Sequence, residues 1–211
     1  MQLWLWWILM IQTSGTHIII LYKKNDWRAY MYVLTNIYRS IFPVMHYTNT
    51  CMFSLCSLGL ERSLSTVAEL AFVSQIVDWV ELSSGYKVLT FCAIGSAEVF
   101  CWIGIVSGVT YWHALEESIW CLTAVGLFCI LSWRRVQENT HIRRITMYIL
   151  GGYILYMTTL DIPMYLQRPN SIKKEILVCE YITTDIEVWS ESLLWMTGYF
   201  IIGSRISLKL A

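Results

Sequence analysis

The stretch Lys87–Trp133 limits what this chain can fold into more than any other. It reads KVLTFCAIGSAEVFCWIGIVSGVTYWHALEESIWCLTAVGLFCILSW, two apolar segments, Val88–Thr110 and Glu117–Trp133, joined by the polar corner Tyr111–Glu116. At a rise of about 1.5 Å per residue each segment crosses, or nearly crosses, a hydrocarbon layer of about 30 Å. Backbone polar groups in lipid must be satisfied within the protein, so the pair is expected to form a transmembrane helical hairpin.

The rest of the chain agrees with that environment. It has 211 residues, 56% hydrophobic and 14% charged, with a mean hydropathy of +0.52; soluble domains carry about 25% charged residues. Lys+Arg and Asp+Glu are both 15, so there is no basic surplus for nucleic acid to bind. The expected class is all-α, a polytopic transmembrane helical bundle forming a single integral membrane domain over residues 1–211. The seven cysteines show no C-x-x-C spacing and fall mostly in apolar runs, where cysteine acts as a small hydrophobe. Neither a metal framework nor a cofactor is expected. The N-terminal segment lacks a basic start and a small-residue cleavage site, and reads as a retained helix.

Seven segments are candidates to span: 3–22, 42–58, 63–82, 88–110, 117–133, 145–166 and 188–208. The segment 42–58 is ambiguous, because it contains Pro43, His46 and Asn49. With six spans, omitting it, the basic residues divide seven against eight; with seven they divide eleven against four, the asymmetry that the positive-inside rule favours. About seven spans is therefore the expectation, with six as the alternative. Residues 25–39 and 167–185 read as interfacial, and in 3–22 the polar middle Gln12–His17 must face protein. Asp161-Ile-Pro163 should kink the span 145–166.

A carboxylate within a span is costly and calls for a reason. Glu98 lies near mid-span among Gly95, Ser96 and Ala97, with Gly104-x-x-x-Gly108 beyond it as a close-packing surface facing another neighbour. Glu98, Glu69, Gln75 and Asp161 are the expected lining of an ion or substrate pathway, although each carboxylate could instead serve packing or pairing, and Arg62, seven residues before Glu69 on the same face, is its natural partner. His113, Glu116 and Glu117 form a possible polar corner. Glu116 and Glu117 are expected in a first helical turn, where the helix dipole favours negative charge. A His–Glu–Glu set alone is a weak metal signal, since such sites normally add further His or Cys ligands.

Three functions compete. The leading one is a transporter or channel for protons, cations or a small solute, working through the intramembrane carboxylates. The second is a structural or accessory subunit of a larger membrane complex, and the third a small intramembrane lipid-modifying enzyme using His113 with Glu116 and Glu117. The chain lacks G-x-G-x-x-G, Walker, H-E-x-x-H and G-x-S-x-G motifs, so a non-enzyme is favoured. No lysine lies inside an expected span, which removes a retinal Schiff base. Expected partners are the lipid bilayer and other membrane proteins or a second copy of the chain.

Overall fold

A computed structural model describes residues 3–41, 58–133, 140–167 and 198–211, and among them every regular element is helical. The chain gathers into two compact units, Met1–Trp79 with Lys173–Ala211, and Val80–Ile172. Each is taken by itself.

The first unit contains α1 (Leu3–Leu21), α2 (Trp27–Ile41), α3 (Leu58–Trp79) and, after a π-helical turn at Gly198–Gly203, α8 (Ser204–Leu210). Its apolar centre joins Leu21, Ala29, Val33 and Leu208. Along α2, residues Ala29, Tyr32, Val33 and Asn36 are buried, an i, i+3, i+4, i+7 stripe. That amphipathic face is covered by α1, α3 and α8, so the helix expected at a membrane interface uses its apolar side for protein packing. In α1 only part of the polar middle turns inward. Ser14 and His17 are buried, while Thr13 and Thr16 donate to the carbonyls of Leu9 and Gln12 at 2.7 and 3.0 Å. A hydroxyl that bonds one turn back satisfies itself without a neighbour.

The second unit contains α4 (Ser84–Ser107), α5 (Tyr111–Trp133), α6 (Thr140–Tyr156), a π-helical turn at Met157–Asp161, and α7 (Ile162–Gln167). The chain turns just before α4. Glu81 takes a positive φ of 51°, and α4 follows from the extended N-cap residue Ser83. Three helical stretches here are long and apolar enough to cross a membrane: Ser84–Ser107, Tyr111–Trp133 and Arg143–Gln167. Their outward faces carry Leu89, Val99, Val106, Leu122, Leu155 and Leu160, all exposed, a surface suited to lipid rather than water.

Among the described residues three such helices are found, fewer than the roughly seven expected. The segment 42–58 lies outside the described residues except for Leu58, 188–208 is described only from Gly198, and the expected interfacial segment 167–185 lies outside them beyond Gln167. The segment 63–82 is helical, but α3 carries Glu61, Arg62, Glu69 and Asp78 and is not among the three.

Two boundaries in the second unit differ from expectation. The corner at Tyr111–Glu116 is in fact the first two turns of α5. The chain turns within three residues because Gly108 closes α4 in the left-handed conformation, φ 69°, with its N–H on the Gly104 carbonyl at 2.8 Å. The Thr110 carbonyl then accepts from the N–H groups of His113 and Ala114, at 3.0 and 3.2 Å, and starts α5. Glu116 and Glu117 consequently sit in its second turn, beyond the reach of a first-turn dipole effect. Before Pro163 the expected kink takes the form of the π-helical turn, in which Ile162 N–H reaches back to the Met157 carbonyl. Proline has no N–H and its ring clashes with the carbonyl four residues back, so a regular α-turn is unfavourable there.

Candidate functional site

The side chains that converge in the second unit come from three helical segments. On α4 the buried residues are Ile94, Ala97, Glu98, Cys101 and Gly104. Glu98, Cys101 and Gly104 follow at three-residue intervals, stepping about 60° around the helix each time, so they form one broad stripe centred on Cys101. Gly104 therefore shares the buried face with Glu98 instead of facing a different neighbour. The G-x-x-x-G spacing divides between two jobs, Gly108 ending the helix and Gly104 admitting a side chain from α5.

That side chain is His113. A Cβ placed on Gly104 would lie 2.7 Å from His113 Nε2, so the ring occupies the space that any other residue at 104 would fill. The opposite ring nitrogen, Nδ1, is 3.0 Å from Glu116 Oε2, one turn along the same helix. Both residues are buried, with His113 8% and Glu116 2% exposed. Glu117 points away by about 100° and is only half-buried, so it does not join them. The third wall comes from α7, where the ring of Tyr165 lies 5.4 Å from that of His113. One turn earlier, Asp161 is buried and accepts a hydrogen bond from Tyr156 Oη at 3.3 Å.

Cys101 completes the arrangement. Its thiol is fully buried, and the ligand atoms of Cys101, His113 and Glu116 all lie within 4.8 Å of one another. Sequence reasoning classed this cysteine with the apolar residues. The signal that marks it is positional: in a helix, residue 101 shares the face of Glu98, three residues away.

The other expected pathway residues, Glu69 and Gln75, belong to the first unit. Gln75 Nε2 donates to the Ser207 carbonyl and to Asp26 Oδ2, both at 3.2 Å, and Ser207 Oγ donates to Gln75 Oε1 at 2.5 Å. Gln75 thus fastens α3 to α8 and to the start of α2. Arg28 continues this network, contacting Asp26 at 2.9 Å and Asp78 at 2.6 Å. Its hydrogen bonds hold the Asp26 carboxyl below the usual carboxylate range. Farther along α3, Glu61 pairs with Arg39 of α2, and Arg62 lies 3.9 Å from the same carboxylate. All three are buried. Neither Glu61 nor Arg39 was singled out by sequence, because ion pairs between helices far apart in the chain carry no local spacing signal.

A cavity of about 200 Å³ opens on a different face of α5, lined by Tyr111, Ala114, Leu115, Ser118, Ile162 and Leu166. Comparison with protein-family models, with curated proteins and with solved structures finds no match to this chain.

Proposed function

We propose that the chain is a multi-pass membrane protein that binds and conducts a cation, with the Val80–Ile172 unit as its working part. The observation that carries this reading is the buried polar file Glu98, Cys101, His113 and Glu116, with Asp161 also buried in the same unit, inside helices of membrane-spanning length. From Glu98 to the end of α4 is nine residues, about 14 Å, so the file runs from deep in the span toward the corner at Gly108–Thr110. No lysine or arginine occurs between Lys87 and Arg134, or between Arg144 and Arg168. His113, in contact with Glu116, is the one basic side chain within those stretches. Buried ionisable groups at membrane depth are the usual markers of ion and proton pathways.

The seven-span arrangement belongs to the same proposal and rests on the charge asymmetry of eleven against four. In it α3 crosses with its charged groups packed against protein, as the burial of Glu61, Arg62 and Glu69 allows.

Flux through reconstituted liposomes tests the function. Glu98→Gln is expected to reduce proton- or cation-driven flux about tenfold or more while leaving the detergent-solubilised protein monodisperse, since one neutralised site raises the barrier by more than about 1.4 kcal/mol. Unchanged flux in that variant would sink the proposal.

A further inference from the structure

The cluster on α4 and α5 is more specific than a generic polar file. We propose that Cys101, His113 and Glu116 form a three-ligand site for a divalent transition-metal cation of the zinc class, open at a fourth position. The inference deepens the cation-conduction reading by naming the class of ion, and its test requires no transport.

The donor set is a thiol, an imidazole and a carboxylate, each under a tenth exposed. Zinc sites with three protein ligands and one open position draw on these same donor types. A thiolate selects for soft and borderline ions and against calcium and magnesium, which prefer oxygen donors. Distances agree with such an ion. Metal–ligand bonds of about 2.0–2.3 Å at tetrahedral angles put neighbouring donors about 3.3–3.8 Å apart, and the three donors here already lie within 4.8 Å of one another. Small side-chain rotations close the remaining gap.

The surroundings fix the imidazole for this task. Nε2 is lodged in the space above Gly104, which leaves Nδ1 as the ring nitrogen that faces the carboxylate, 3.0 Å from Glu116 Oε2. An ion between Nδ1 and Glu116 Oε2 would take the place of the contact they now make, with the Cys101 thiol as third donor. The same three residues have the order of a cysteine–histidine–carboxylate nucleophilic relay, which must meet its substrate at the thiol. Cys101 is 0% exposed, and the cavity beside α5 is lined by another face of that helix. A bare ion fits this enclosure, whereas an acyl substrate does not.

Cobalt titration of the reduced, chelator-treated full chain in nanodiscs is the test. One equivalent of Co²⁺ is expected to give the intense visible bands of a tetrahedral site together with a thiolate-to-cobalt charge-transfer band, and Zn²⁺ should displace it. Cys101→Ser should abolish the charge-transfer band, and Glu116→Gln should weaken binding by at least the roughly 10- to 100-fold that loss of an outer-shell partner costs. X-ray absorption at the zinc edge of the unmutated protein reads the same site without relying on a variant. It should show one sulfur at about 2.3 Å among nitrogen and oxygen ligands. Absence of stoichiometric Co²⁺ binding, a charge-transfer band that survives in Cys101→Ser, or a zinc shell without sulfur or with more than one would overturn the site. Flux that depends on Glu98 while Co²⁺ fails to bind would overturn the metal site and leave cation conduction standing.

Discussion

At the scale of single residues, the space above Gly104 decides the candidate site. His113 Nε2 lies where a Cβ at 104 would come within 2.7 Å of it, and α5 begins only seven residues later, so neither backbone can yield easily. Gly104→Ala is expected to displace the ring and cost about 1–3 kcal/mol, the usual range for overpacking. Thermal unfolding in detergent measures that cost, and the Co²⁺ charge-transfer intensity should fall with it. A variant with unchanged melting temperature and unchanged spectrum would mean that the ring sits elsewhere. Glu98, Asp161, His113 and Glu116 were legible as candidates because charge in an apolar run stands out on composition alone. Cys101 was not legible, since a thiol in such a run has the composition of core, and only its placement opposite His113 gives it chemistry.

Helical elements kept their identity, while their ends and faces were settled by contacts. Apolar runs placed α1, α4, α5 and the 143–167 helix where they are found, but a polar corner was expected at Tyr111–Glu116. Polar side chains there mark the buried face of α5, and the break itself needs only the left-handed Gly108. The junction of α2 and α3 depends on charge. Asp26 takes hydrogen bonds from Arg28 and Gln75, and Arg28 also reaches Asp78. Because the carboxyl of Asp26 is held below its ordinary value, its contribution is fully present above the unfolded value of about 3.9 and is lost as pH falls through the folded value. Asp26→Asn is therefore expected to be less stable than the parent by about 1.5–3 kcal/mol near neutral pH, in line with a hydrogen bond to a charged group. The gap should narrow as pH falls below about 4 and close once it is below the folded value. Unfolding curves at several pH values check this, and a gap that widens on acidification would contradict it.

For the whole molecule, three successive membrane-length helices from Ser84 to Gln167 set a rule of sides. The ends at Ser84 and at Trp133–Arg143 must share one side of the bilayer, and the corner Gly108–Thr110 must share the other with Gln167. Single cysteines introduced at Ser84, Val109 and Gln167 on a background cleared of exposed thiols should label from one side, the opposite side and the opposite side. Labelling of Ser84 and Gln167 from the same side would remove one crossing. The sequence by itself determined that the chain is helical and that it contains membrane-length segments, because hydrophobic length and the need to satisfy every backbone group in lipid are local properties. It also determined which charges lie in apolar surroundings. Only the tertiary structure decided which of them meet. Gln75, expected in a pathway, bonds to Ser207 across 132 residues, and Cys101, expected in the core, comes within 4.8 Å of an imidazole and a carboxylate. Contacts of that kind depend on how far each helix is rotated about its axis and where its neighbour ends, and two glycines settle these for α4 and α5: Gly104 admits His113, and Gly108 ends α4.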